Sequence, residues 1–175
     1  ELVWFSSSDQ EDPLHANVME GCVCEGLDVA LLYCESPPLD IGQLPQAVLA
    51  TEITKQAPNL AGDGFPVLTD KSGNGSGPKK HTIECRFLST DSSRLVLSIS
   101  DGCSASYLNE RSAEDIDRAL AGASGSGLFD DHQRLVAVFL ARAHENTSHV
   151  LAVPISEILD AFGQHLQPRP LSEKL

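Results

Sequence analysis

The stretch Gly122-Ala123-Ser124-Gly125-Ser126-Gly127-Leu128-Phe129 constrains this chain more than any other. Glycines on both sides of Ser124 let the backbone bend tightly and leave no side chain over its hydroxyl. Amides at Gly122 and Ser124 can then point to one spot, the geometry that stabilises an oxyanion, so Ser124 reads as a nucleophile. Leu128-Phe129 and, after a short polar turn, the apolar residues 136–140 read as strands that anchor the loop. A flexible Gly/Ser linker or a β-hairpin turn fits the same residues, and the stretch alone does not decide between these readings.

A second motif lies far upstream. Gly26-Leu27-Asp28-Val29-Ala30-Leu31-Leu32 places an acid at the head of an apolar strand. In order and separation, Leu-Asp-Val-Ala-Leu-Leu and Gly-Ala-Ser-Gly-Ser-Gly-Leu-Phe resemble the Asp and Ser elements of trypsin-like serine proteases. Within that group the chain is most similar to bacterial trypsin-like domains associated with signalling and defence effectors. In these a Gly-x-Ser-Gly-x-x-Val/Leu-Phe loop leads to a Leu-Val-x-Val strand and a closing Val-Pro-Ile/Val-x-x-Leu-Leu segment. The closing segment here is Leu151-Ala152-Val153-Pro154-Ile155-Ser156-Glu157-Ile158-Leu159, and Gly64-Phe65-Pro66 falls where such domains start their second barrel. The likeness covers residues 2–164.

The resemblance implies an all-β, two-barrel trypsin-like fold with a C-terminal helix, the first barrel being incomplete in this chain. Residues 1–52 are expected as the remainder of the N-terminal barrel and 53–165 as the C-terminal barrel with its helix. Residues 166–175 are expected as a tail. The implied chemistry is serine endopeptidase acyl transfer, with Ser124 as nucleophile, Asp28 orienting a histidine, and the amides of Gly122 and Ser124 holding the oxyanion. Arg118, a few residues before the nucleophile, falls at the base of the side-chain pocket by the same likeness. A cation there favours an acidic or small polar residue before the scissile bond, while Asp117 beside it competes for the inward position.

A serine hydroxyl is a poor nucleophile until a base takes its proton, usually a histidine oriented by a carboxylate. In the resembled proteases that histidine lies well before the aspartate, in a Thr-Ala-Ala-His type segment, and no such segment is present. His15 precedes Asp28 too closely and reads as a surface or strand histidine. His81, His132, His144, His149 and His165 all follow Asp28, out of order, and read as solvent-facing. The expectation is therefore that an upstream segment or another chain supplies the catalytic histidine. The competing expectation is a catalytically inactive interaction module that keeps the fold for binding.

Composition limits the alternatives. With 25 acidic against 12 basic residues the net charge is −13, which disfavours nucleic acid and acidic membranes as partners. No apolar run approaches a membrane span. Cys22, Cys24, Cys34, Cys85 and Cys103 form neither a metal-type spacing nor a dense disulfide framework, so a reduced cytoplasm is expected, with no cofactor and no metal. Cys22 and Cys24 on one strand share a face, a possible metal edge, but no Cys/His pair follows to complete it. Ser124 has no neighbouring cysteine, unlike extracellular trypsin relatives, which favours a bacterial or intracellular protein.

Along the chain, residues 2–5 read as a strand, 6–13 as a polar turn, 15–24 as a strand and 28–34 as a buried strand that Pro37-Pro38 stops. Trp4 and Phe5 read as core residues. Residues 45–54 carry a weak strand pattern, and 57–67 open the second half. The Gly/Ser/Asn cluster at 70–80 reads as a mobile surface loop. It lacks the strand and helix that a phosphate cradle requires. Residues 81–88 and 94–100 read as a strand pair about the turn Asp91-Ser92-Ser93. Residues 114–120 suggest a helical turn, and 156–165 a helix capped by Ser156 with Ile158, Leu159 and Phe162 on one face. Pro168 and Pro170 end it. Ala123 stands where secreted trypsin relatives carry the aspartate that pairs with a freed N-terminus. Control is therefore expected from an attached domain or partner that orders 70–80 or 101–121.

Overall fold

The structure is a computed structural model in which residues 2–4, 14–34, 48–50, 59–64, 81–100, 120–143 and 149–166 are described. Expectations for Phe5, 6–13, Pro37-Pro38, 70–80, 101–119 and the tail after residue 166 lie outside the described residues. The chain divides into two compact units, Glu1–Gln46 with Leu159–Leu175, and Ala47–Ile158.

In the first unit, β1 (Leu2–Trp4), β2 (Leu14–Cys24) and β3 (Val29–Cys34) form an antiparallel sheet in that order. The Ala16↔Cys34 and Val18↔Leu32 pairs continue to Val23↔Ala30 after an irregularity near Gly21, whose φ of 72° only glycine adopts without strain. Directly paired residues share a face, so Val18, Val23, Ala30 and Leu32 line one side of the sheet. Val18, Val23 and Leu32 are 52%, 57% and 43% exposed. This corrects the expectation of a buried strand at 28–34. Its apolar run suits a strand covered on both faces, but here one face of a three-stranded sheet meets solvent. Cys22 is fully buried, Cys24 is half-buried on the same side, and Val23 between them points away.

In the second unit, β4 (Val48–Leu49), β5 (Asn59–Gly64), β6 (His81–Asp91), β7 (Arg94–Ile99), β8 (Gly127–Phe129), β9 (Arg134–Ala143) and β10 (His149–Pro154) share one sheet. Its order is β10-β7-β6-β5-β8-β9, and a further β10–β9 pairing closes these six antiparallel strands into a barrel. β4 runs parallel to the start of β9. Closure removes the open edges that an isolated sheet would present.

Alternation places the barrel core. Ile83 and Cys85 on β6 point inward while Thr82, Glu84 and Arg86 stay exposed, and Leu95, Leu97 and Ile99 do the same from β7. Leu60, Leu128, Val136, Phe139 and Val150 complete the interior, with Phe139 fully buried. The β6–β7 hairpin turns through Ser92 and Ser93, with Ser92 at φ 53° as a tight two-residue loop demands.

The C-terminal helix α1 (Ile155–Phe162) follows Pro154 directly. Ser156 therefore sits inside the first turn and does not cap it, a correction that follows from β10 running without a break into the helix. Ile155, Ile158, Leu159 and Phe162 fall on one stripe at the spacing of helical turns. Gly163 ends the helix, its amide donating to the Leu159 carbonyl at 2.7 Å.

Candidate active site

The loop from Leu120 to Ser126 joins the barrel at β8 and is made of two successive turns. Ala123 N donates to Leu120 O at 2.9 Å, and Ser126 N to Ala123 O at 3.1 Å. In each, the third residue is a glycine with positive φ, Gly122 at 90° and Gly125 at 87°. That is the conformation a type II turn asks of its third residue, and a side chain there would be strained. The glycines of the sequence motif thus have a backbone task that the amino acids alone suggest.

Two main-chain bonds tie the loop to β9. Gly125 N donates to Phe139 O at 2.8 Å, and Phe139 N donates to Ser126 O at 2.9 Å. Ala123 is fully buried in the barrel core, so the loop is held from below by its middle residue. Ser124 and Gly125 then lie outward, both exposed, and Ser126 is half-buried. Among the described residues no partner hydrogen-bonds the Ser124 hydroxyl, and no acceptor takes the amides of Gly122 or Ser124.

β5 comes close beneath this loop. A Cβ on Gly64 would lie 2.9 Å from Ser126 Oγ, 3.1 Å from Ala123 Cα and 3.2 Å from Ala123 Cβ. A Cβ on Gly62 would clash with the Gly127 carbonyl oxygen, so that position admits only glycine, whereas one on Gly64 would require the loop to give by a few tenths of an ångström. The end of β5 is pinned by its neighbour, since Thr82 Oγ1 donates to Asp63 Oδ1 at 2.7 Å across the Asp63↔Thr82 pair.

Beyond β8 the chain turns through Asp130–Arg134, where a buried carboxylate does the organising. Asp130 Oδ1 accepts the amides of His132 and Arg134, each at 2.9 Å. Its Oδ2 meets Arg134 Nε at 2.8 Å and Nη2 at 2.6 Å, a two-pronged pair. Burial pushes the Asp130 carboxyl upward, but the Arg134 side-chain bond, the two amides and the guanidinium charge outweigh it and hold it below the ordinary carboxylate range.

Asp28 belongs to the other unit. It ends the turn between β2 and β3 with φ 61°, is exposed, and donates its amide to Glu25 O at 3.2 Å. Aspartate tolerates this left-handed conformation better than most residues. Arg118 lies outside the described residues. The described loop therefore gathers Gly122 and Ser124, while Asp28 stands in a separate unit. Among the described residues no histidine is hydrogen-bonded to Ser124, and no three His, Cys, Asp or Glu side chains gather as a metal site. Cys22 and Cys24 are free thiols. No described helix is long and apolar enough to cross a membrane.

The seating glycine Gly64 and the buried Asp130 were not singled out by sequence. Gly64 carried a signal only as part of Gly64-Phe65-Pro66, read as a boundary. Asp130 sat in a polar turn, where the Arg four residues on was its one clue.

No protein-family model matches the chain, and no curated protein does. Solved structures similar to it include two forms of one protein. Rv3671c from M. tuberculosis H37Rv, a serine-to-alanine mutant in inactive form, shares 16% identity at TM-score 0.52, over 91% of this chain and 69% of that one. The Rv3671c protease from M. tuberculosis in active form shares 16% at TM-score 0.51, over 93% of this chain and 63% of that one. At this identity the likeness shows the fold. It is the all-β trypsin-like serine protease fold, present among the described residues as a six-stranded barrel, a three-stranded sheet in the other unit and a C-terminal helix.

Proposed function

We propose that the chain is a serine endopeptidase domain whose nucleophile is Ser124, cleaving a protein substrate within a bacterial signalling or defence system. The observation that carries this reading is the state of the loop. Ser124 is exposed, its hydroxyl is uncommitted among the described residues, and it lies between two positive-φ glycines with the Gly122 and Ser124 amides unspent. In that arrangement the hydroxyl attacks the peptide carbonyl, and the two amides hold the oxyanion of the tetrahedral intermediate. A histidine supplied by an upstream segment or another chain takes the serine proton and returns it to the leaving amine. Asp28 orients that histidine, Arg118 lines the side-chain pocket, and an attached domain or partner controls the site from the cytoplasm.

The second reading, an inactive protease-like interaction module, is favoured by one observation. No described histidine bonds Ser124. The two readings part on labelling by a serine-directed phosphonate and on peptide hydrolysis, each measured with and without the histidine-bearing segment. The expected result is residual reactivity of the chain alone, a large gain when the segment is supplied, and loss of both in Ser124→Ala with an unchanged melting temperature. Removing a nucleophile costs several orders of magnitude in rate. Ser126→Ala keeps its label. Loss of labelling in Ser126→Ala in place of Ser124→Ala would put the nucleophile two residues further on, and no labelling under any condition would leave the binding module.

A further inference from the structure

We propose that Gly64 is a positioning residue for Ser124, its bare Cα forming the seat on which the nucleophile loop rests. The inference deepens the nucleophile reading and rests on it for its catalytic consequence.

Three atoms of the loop crowd the place where a side chain at residue 64 would begin. Ser126 Oγ is 2.9 Å from it, Ala123 Cα 3.1 Å and Ala123 Cβ 3.2 Å. These belong to the residues on either side of Ser124-Gly125, so the seat supports both feet of the segment that carries the hydroxyl. The seat is itself stiff. Gly64 pairs with His81 at the end of the β5–β6 ladder, and the preceding Asp63 is bonded to Thr82 at 2.7 Å. From above, the Gly125–Phe139 and Phe139–Ser126 bonds fix the loop to β9. The loop is thus gripped between β5 and β9, and β5 contributes contact without a bond. A methyl group at 64 drives Ala123 and Ser126 outward by a few tenths of an ångström and tilts the Gly122 and Ser124 amides with them. Gly62 differs, because a Cβ there meets the backbone oxygen of Gly127 and breaks the β5–β8 approach itself.

The test compares the full chain with Gly64→Ala by hydrogen exchange over residues 120–128, by melting temperature, and by the rate of phosphonate labelling at Ser124. Expected are faster exchange confined to 121–126, an unchanged melting temperature, and labelling slowed about tenfold, since small misplacements of reacting groups are costly. Adding Ser126→Ala removes the nearest atom and restores part of the labelling, the Ala123 contacts remaining. Should Gly64→Ala fail to fold, Ala123→Ser adds one atom to the same contact from the loop side and is expected to give the same exchange and labelling changes. Wild-type exchange and labelling in the folded variant overturn the proposal. If the unaltered chain takes no label, the nucleophile reading falls, and the exchange result alone decides whether Gly64 seats the loop.

Discussion

Gly125 and Phe139 are joined through the backbone at 2.8 Å, and the Phe139 amide returns a bond to the next loop residue, Ser126, at 2.9 Å. One fully buried aromatic residue on β9 therefore holds the loop through its main chain and fills the barrel core through its ring. Core packing and loop geometry are coupled at this position. Phe139→Ala is expected to cost about 3–5 kcal/mol of stability through the cavity it leaves. If barrel and loop are coupled as described, urea melts will show that loss together with faster exchange at 122–126. Faster exchange in the core with an unaltered loop would separate the two.

Asp130 gives the barrel an acid limit. Its folded pKa lies below the ordinary carboxylate value of about 3.9, so the unfolded chain binds the proton more readily. The stabilisation is fully present above about pH 4 and is lost as pH falls through the lowered folded value. Asp130→Asn keeps one acceptor but loses the charge, and is expected to cost about 1–3 kcal/mol at pH 7. Melting temperature followed from pH 7 to pH 2 checks this. The variant should lie below the original chain at neutral pH and converge with it in acid, and parallel curves would contradict the role given to Asp130.

The exposed sheet face of the first unit makes a different kind of prediction. Val18 and Val23 meet solvent at 52% and 57% exposure, so replacing both by lysine removes little buried area. Val18→Lys with Val23→Lys should change stability by no more than about 0.5 kcal/mol per site, and should lower the binding of a hydrophobic dye, because a contiguous apolar patch is what such dyes detect. A large loss of stability would mean that the face is covered in solution.

These outcomes show where sequence was sufficient. The strand at 81–91 was legible because inward and outward residues alternate along its first half, those at 94–99 and 134–143 because each carries a short apolar run bounded by turn residues, and the glycine pattern around Ser124 foretold a loop whose turns need positive φ at Gly122 and Gly125. Burial of residues 28–34 was not legible, since the run Val29-Ala30-Leu31-Leu32 looks the same whether its sheet is covered or bare. Asp130 was hidden for the opposite reason. A carboxylate in the polar run Asp130-Asp131-His132-Gln133 looks solvated until the turn folds over it. The start of α1 moved because Pro154 ends a strand and opens the helix at once, leaving Ser156 no position outside it. Gly64 became visible only when β5 and the loop were seen to touch.

Ala123 supplies the last prediction. It is fully buried against Gly64 and the core, where secreted trypsin relatives carry an aspartate paired to a freed N-terminus. The surroundings of Ala123 are apolar, drawn from residues such as Leu60, Leu128 and Phe139 in the same core. A carboxylate placed there loses its hydration without a compensating charge, so its folded pKa rises above the unfolded value. The destabilisation is then smallest in acid, where the group is neutral. It grows as pH rises above about 4, by up to roughly 1.4 kcal/mol per pH unit until the folded pKa is reached. Ala123→Asp is expected to cost about 3–5 kcal/mol at neutral pH, a direction opposite to that of Asp130. Chemical denaturation of this variant and the original chain between pH 4 and pH 8 makes the comparison. A pH-independent difference between them would show that the added carboxylate is not desolvated at this position and would contradict the apolar setting given to Ala123.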